Sequence, residues 1–362
     1  MTATRLDSAD ALAERLFGAT VGALELFSVY LGAQLGLYRI LDEGDGLTQR
    51  ELAELAGIGE RYAQEWLEQQ AVAGLIDVEN VDRPAHERRY QLPDEHARVL
   101  ARADDPLHVA PFAHLLVGVG GVLPSVVDAY RSGGGVPYSA YGAAFRHGQG
   151  HINRPAFTNE LPTEWLGAMP DVVARLQSAP RPRIADLGCG QGWSTIAVAS
   201  AFPNARVDGI DADHASVADA RDHAAAAGVD GRVRFIASDA TALAGEGPYM
   251  LVLMLEALHD LADPVAVLSA ARAALADGGA VLVVDEKVAE SFTAPGDEVE
   301  RMMYGWSVTH CLPTQLVEQP SAALGTVLRP DTVRKLADEA GFAAVEALPV
   351  ENDFFRFYRL DP

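Results

Sequence analysis

Basic residues are scarce in this chain, and that scarcity sets limits before any motif is read. Of 362 residues, 28 are Lys or Arg against 51 Asp or Glu, a net charge of −23 with a pI near 4.7. No lysine occurs before Lys287. A surface of that sign repels polyanions, so nucleic acid is not an expected partner. Cysteine is almost absent. Cys189 and Cys311 are the only two, and neither has a second ligand at metal-site spacing. Two such thiols suit a reduced, cytoplasmic protein with no metal site. A secretory leader is not expected either, because the opening MTATRLDSADALAERL carries acids and has no apolar core. One apolar run, residues 109–127, is about as long as a membrane span. It contains Pro111, His114, Gly120, Gly121 and Pro124 and lacks flanking basic clusters, so a buried helix pair or subunit contact is expected instead. At 49% hydrophobic residues the chain can fill substantial cores, and its length suggests two or three domains.

What is present is organised around residues 183–213. The pattern reads strand, glycine turn, helix, strand, acid. Asp186 and Leu187 end the first strand, and Gly188, Gly190 and Gly192 follow at alternate positions. Residues 193–202 suit a helix, Pro203 and Asn204 break it, and residues 207–210 form a second strand ending on Asp211. Glycines let a ligand lie against bare main chain. The following helix aims unpaired N–H groups at the turn, and an acid on the next strand can accept two ribose hydroxyls. A dinucleotide fingerprint, G-x-G-x-x-G, would need a glycine where Trp193 stands. Asp186 would also repel a pyrophosphate. It suits a cation, such as the amino group of S-adenosylmethionine (SAM). The alternative is a glycine turn that holds no ligand.

At these residues DLGCGQG followed by GIDAD resembles the nucleotide-binding motif of the class I SAM-dependent methyltransferases. The resemblance implies Asp186, Gly188 and Gly190 around the methionine part and Asp211 on the ribose. It also implies Asp239 on the adenine amino group and Ala240 against the ring, with helix capping as the other reading of Asp239. Gly192, Ala212 and Glu256 complete the expected cofactor-binding set. One departure is Met250, where many relatives have an aspartate. From residue 183 onward, strands and helices alternate, and residues 342–348 and 354–360 read as a closing hairpin. The expected fold is α/β, a Rossmann-like seven-stranded methyltransferase domain preceded by an α-helical winged-helix dimerisation domain.

The winged helix is read from residues 47–92. Thr48 can cap a helix, with Glu51 as its capping-box partner, and Gly57 ends it. A second helix opens at Glu60 or Arg61, with Ala63, Trp66, Leu67 and Val72 as expected buried positions. Strands at 75–78 and 89–92 make the wing. Two helical patterns precede it, in residues 8–40. The recognition-like helix sets Arg61 against Glu60, Glu65 and Glu68, a poor surface for phosphates. This half resembles the dimerisation domains of small-molecule methyltransferases, so a homodimer is expected. Domain limits are expected at 1–110 (winged helix), 111–180 (helical linker and active-site cover) and 181–362 (SAM-binding domain).

Two segments offer chemistry beyond the cofactor. EALHDLADP, residues 256–264, falls at the carboxyl edge of the sheet, where open α/β sheets bind ligands. His259 there is either a base for an acceptor hydroxyl or amine, or part of a helix cap. Asp260 would cap the helix or orient His259. Residues 300–316 interrupt the alternation with Met302, Met303, Tyr304, Trp306, His310 and Cys311, either a pocket wall or an amphipathic core helix. Tyr138, His147 and Phe157, from an irregular aromatic stretch, join Met302, Tyr304, Trp306 and His310 as candidate substrate contacts. The expected function is methyl transfer from SAM to an oxygen or nitrogen of a small molecule, of the kind found in actinobacterial secondary metabolism. The partners are a small molecule and a second copy of the chain, with no nucleic acid and no membrane. The rivals are a winged-helix regulator that senses SAM and an NAD-dependent oxidoreductase on the same sheet topology.

Overall fold

The structure, a computed structural model, describes residues 8–362. The first seven residues, the start of the segment expected to lack a leader, lie outside it. The chain forms two compact units. The first holds residues up to Gly120 together with Ala143–Pro155, and the second holds Gly121–Gly142 with Ala156–Pro362. Helix Pro111–Ser132 begins in the first unit and ends in the second, whereas Gly142–Asn159 has both ends in the second unit and Ala143–Pro155 in the first. Residues 111–180 are thus divided between the units. The reason lies in their apolar residues: Ala113 packs in the core of the first unit and Phe157 in that of the second.

In the first unit, the two helical patterns of residues 8–40 become helices Ala9–Gln34 and Leu37–Glu43, separated at Gly36, whose φ is +69°. Helices Gln49–Ala56 and Glu60–Val72 follow, then strands β1 (Asp77–Glu79) and β2 (Arg89–Gln91), antiparallel with Val78 opposite Tyr90. Thr48 and Glu51 form both halves of the capping box. Trp66 and Leu67 pack with Tyr38 and Tyr90 in the core. Val72 does not: it is the last helical residue and 90% exposed. Helix Ala9–Gln34 buries only Val29 and Gly32, and it leaves Leu12, Leu16, Phe17, Leu24, Phe27 and Leu31 exposed. This helix and Pro111–Ser132 are each long and apolar enough to cross a membrane by length and composition. Two glycines, Gly118 in Pro111–Ser132 and Gly148 in Gly142–Asn159, have a packing role. A Cβ on Gly118 would lie 2.5 Å from Phe145, and one on Gly148 would lie 2.8 Å from the backbone of Leu115.

The second unit is built on a seven-stranded sheet. Its strands are β3 (Arg183–Leu187), β4 (Arg206–Asp211), β5 (Val233–Ala237), β6 (Tyr249–Leu255), β7 (Leu275–Glu286), β8 (Ala344–Ala347) and β9 (Phe355–Asp361), in the order β5-β4-β3-β6-β7-β9-β8. The first five are parallel, and β9 runs antiparallel between β7 and β8. Alternate residues feed two cores. Ile184, Leu251, Leu253 and Leu282 face one side, while Ala185, Val252, Met254 and Val281 face the other. Both faces are covered, which is why these strands read as continuous apolar runs. The chain order reverses between β3 and β6, so the carboxyl ends of these two strands flank the crevice where such sheets take ligands.

Candidate active site

The glycine turn leaves β3 at that crevice. Gly188, Gly190 and Gly192 have φ of +72°, +49° and +81°, a region that L side chains avoid. Space forbids side chains at two of them as well. A Cβ on Gly192 would lie 2.8 Å from the Phe235 ring, and one on Gly188 would lie 2.7 Å from Ala257. Helix Trp193–Ala201 starts directly on the turn, and its N-cap, Gly192, offers no side-chain acceptor. Its first N–H groups therefore face the cradle.

Two carboxylates hold the turn. Asp186 is 1% exposed, and its Oδ2 accepts hydrogen bonds from Ser194 Oγ and Thr195 Oγ1, both at 2.6 Å. Burial outweighs these two bonds and raises its carboxyl to about 6. Asp211 accepts from the Gly190 N–H through Oδ2 and from the Asp213 N–H through Oδ1, each at 2.8 Å. Burial raises its pKa as well, against those two N–H groups. Asp239 caps the turn Ala240–Leu243, its Oδ1 accepting from the Thr241 N–H at 2.8 Å. Ala240 is buried behind it, and Ala212 is exposed. Glu256 follows β6 with φ +53°, a strained value for a side-chain residue, and its N–H donates to Val284 O at 2.7 Å.

The next residues place His259 against the end of β7. His259 is 3% exposed. Its Nδ1 lies 2.9 Å from Asp285 Oδ1 and 3.1 Å from Glu286 Oε2, and its Nε2 lies 3.5 Å from Asp260 Oδ1. The side-chain amide of Gln315 donates to the His259 carbonyl. Burial alone would lower the imidazole pKa, but Glu286, Asp285 and Asp260 together raise it well above its ordinary value. Burial, with the Asp285 charge, raises Glu286 well above the usual carboxylate range despite the pull of His259. Burial would raise Asp285 too, but the histidine holds it down. Two adjacent buried carboxyls resist ionising together, so Asp285 is the easier of the two to ionise, and its charge favours the protonated imidazole. Asp285 and Glu286, which complete this candidate cluster, have no counterpart among the residues expected from the sequence.

Residues 300–316 lie in one nearly continuous helical stretch. Helix Glu298–Trp306 widens into a π turn, Ser307–Cys311, and continues as Leu312–Gln315. Its inner face, with Met303, His310 and Cys311, is buried, and Tyr304 is 37% exposed. Met302 and Trp306 are half-buried. The rings of Tyr138 and Tyr141 stand edge-on to His310 at 5.8 and 4.6 Å. Tyr141 also donates to Thr309 O at 2.8 Å. Ligand atoms of Cys311, His259 and Asp260 fall within 4.8 Å of one another. Burial pushes His310 down to about 4 and Cys311 up to about 12, so both are neutral. The structure thus brings Tyr138 and His310 to the His259 side of the sheet. Phe157 instead packs edge-on to Trp165 in the core, and Tyr304 Oη lies 3.4 Å from Arg329. His147 belongs to the first unit, its ring stacked on His151.

Comparison with known proteins bears on the fold and its two domains. Residues 184–279 match the family described as methyltransferase domain, and residues 22–102 match the Rv2258c-like winged HTH domain. Trans-aconitate 2-methyltransferase of Streptomyces avermitilis is 33% identical over 133 residues, covering 36% of this chain and 48% of that protein. The protein of that name from Paracidovorax citrulli is 35% identical over 104 residues, covering 28% of this chain and 38% of its own. The chain therefore spans less than half the length of these curated relatives. Solved structures match along nearly the whole chain at low identity. Human N-acetylserotonin methyltransferase in complex with SAM gives a TM-score of 0.69 at 18% identity, covering 99% of both chains. The mitomycin 7-O-methyltransferase MmcR gives 0.62 at 18% identity, covering 97% of this chain and 98% of its own. By these two matches the chain carries a methyltransferase domain, on the seven-stranded sheet, and an N-terminal winged HTH domain.

Proposed function

We propose that the protein transfers a methyl group from SAM to an oxygen, or else a nitrogen, of a small molecule. One observation carries the reading. The glycine cradle with Asp186 and Asp211 and the cluster of His259, Asp285 and Glu286 lie at the carboxyl ends of neighbouring strands in one unit. The cradle fits the cofactor, since its three glycines leave the backbone bare and a Cβ on Gly190 would project into open space. Asp186 and the N–H groups of the turn would hold the methionine part, and Asp211 the ribose. Ala212, Asp239, Ala240 and Glu256 would border the nucleoside. SAM supplies an electrophilic methyl on a positively charged sulfur. Asp285 orients His259 through Nδ1, so that Nε2, in the molecules whose imidazole has given up its proton, is left to take the proton of an acceptor hydroxyl. The acceptor enters beside Tyr138, His310 and the residue 300–316 wall, with Met302, Tyr304 and Trp306 on it. Alignment of acceptor and methyl supplies most of the acceleration, and the base adds roughly 10²–10⁴-fold.

The exposed apolar stripe of helix Ala9–Gln34 supports a homodimer that covers it. Two free thiols support a cytoplasmic setting. The mitomycin enzyme among the structural neighbours supports a role in secondary metabolism. The test is mass spectrometry of a small-molecule library incubated with the protein and SAM carrying a labelled methyl. A product heavier by one labelled methylene supports the reading. Tight binding of NAD with none of SAM refutes it.

A further inference from the structure

The first unit contains a cavity of about 220 Å³ that methyl transfer does not use. Four of the chain's ten histidines, His108, His114, His147 and His151, line it, together with Tyr38 and Arg39. His114 forms its floor. It is 4% exposed, and its Nδ1 has no hydrogen-bond partner among the described residues. An imidazole nitrogen buried without a partner is costly. His147 is exposed and His151 half-buried, so the rim is open to solvent.

We propose that this cavity binds a divalent metal ion of the zinc or nickel class through the imidazoles of His114, His147 and His151. Three features support it. His147 and His151 stand four residues apart on helix Gly142–Asn159, so they share one face with Cβ atoms about 6 Å apart, a spacing that chelates metals on helices. Their rings are stacked at 3.8 Å, and the His114 ring is 4.8 Å from that of His147. Gly118 and Gly148 hold the two helices at backbone contact, which fixes the span between floor and rim. The rings are packed against one another here, and His151 Nδ1 lies 3.0 Å from the His147 carbonyl oxygen, so coordination at about 2.1 Å would use His151 Nε2 and require the stacked rings to turn toward His114. Borderline divalent ions favour imidazole, whereas Mg2+ and Ca2+ favour oxygen ligands. An anion is the weaker candidate, because it would require a buried charged imidazole at His114. Three protein ligands would leave a position open to water.

The test uses untagged full-length protein stripped with a chelator, then titrated with Zn2+ by calorimetry and with Co2+ by visible spectroscopy. One saturable equivalent is expected, with cobalt bands of nitrogen coordination. His147→Ala, at the exposed rim, should weaken binding at least about tenfold while leaving the fold intact, and His114→Ala should do the same. Binding of SAM, measured separately, should not change in His147→Ala. Absence of a saturable equivalent overturns the proposal. So does an affinity unchanged in His147→Ala and His151→Ala, or a thiolate-to-cobalt band, which would put the ion at Cys311. None of these outcomes depends on methyl transfer, so the two readings fail separately.

Discussion

If His259 is the base, replacing Asp285 by Asn should move the acid limb of the pH profile to lower pH. The base must be neutral to accept a proton, and its pKa in the wild-type protein is held well above the ordinary imidazole value by Glu286, Asp285 and Asp260 against the effect of burial. The wild-type rate should therefore climb with pH through a value above about 6.5. Asp285 Oδ1 lies 2.9 Å from Nδ1. A unit charge about 4 Å away is worth about 4 kcal/mol at an effective dielectric of about 20, or about three pKa units. That is the ceiling for Asp285→Asn. The observed shift should be smaller, because Glu286, freed of its charged neighbour, ionises and takes over part of the role. The double variant Asp285→Asn/Glu286→Gln should show the remainder, so the two changes will not add. The plateau should fall as well, since a weaker base takes the proton less readily. The other groups facing His259 are Asp260, Cys311 and His310, and the latter two stay neutral across this range. The assay is kcat/KM against pH for the three proteins, with SAM affinity measured in parallel. An acid limb that stays in place in both variants, with SAM binding intact, refutes the base assignment.

Three further outcomes follow from the geometry. Asp186→Asn should raise Tm at pH 7 while weakening SAM binding. The folded-state pKa of about 6 exceeds the unfolded value near 3.8, so ionising this buried acid costs stability as pH rises from about 4 to about 6, about 3 kcal/mol in all. Thermal melts at pH 4 and pH 7 should show the gain only at the higher pH, and a gain of equal size at both would contradict it. Gly192→Ala should destabilise by about 1–3 kcal/mol, from its left-handed φ and the 2.8 Å approach to Phe235; a chemical denaturation midpoint that does not move would show that the turn can yield. Leu16→Glu/Phe17→Glu, on the exposed stripe of helix Ala9–Gln34, should convert a dimer to a monomer in light scattering. A wild-type monomer would remove the dimer from the functional reading.

The parts of the structure that were legible in the sequence are those with local causes. The capping box at Thr48 and Glu51, the glycine turn and the apolar parallel strands each follow from residues a few positions apart, and each is where the spacing put it. The site was legible only where a strand end and its acid are contiguous, as at Asp186 and Asp211. Asp285 and Glu286 escaped because the apolar run of β7 ends at Val284, so the strand seemed to stop there. In the structure it continues through Glu286, paired to Phe355 of β9. Only that non-local pairing buries the two acids beside His259. A sharper signal was available: two adjacent acids at the end of a buried strand need a partner, and His259 was the nearest candidate by topology. The fate of Phe157, a core residue beside Trp165, was likewise decided by packing across elements that the local pattern does not encode.

The acids at the sheet's carboxyl edge bear on the choice of cofactor more than any one motif does. All five parallel strands end in or next to one: Asp239 after β5, Asp211 on β4, Asp186 before the turn of β3, Glu256 after β6, and Asp285 with Glu286 on β7. No lysine precedes Lys287, so none lies in the first four of these strands or the turns that follow them. A pyrophosphate placed on this edge would face carboxylates from several strands and no lysine from the first four. A sulfonium with an ammonium group beside it meets the opposite situation, since each acid it approaches becomes easier to ionise and so binds it more strongly. Asp186, raised to about 6 by burial, shows the coupling most directly. A nearby cation would lower that value, and by linkage SAM should bind more weakly as pH falls below about 6. Calorimetry of SAM binding between pH 5 and 8 tests this, and an affinity independent of pH over that range would mean that Asp186 does not face the cofactor's charge.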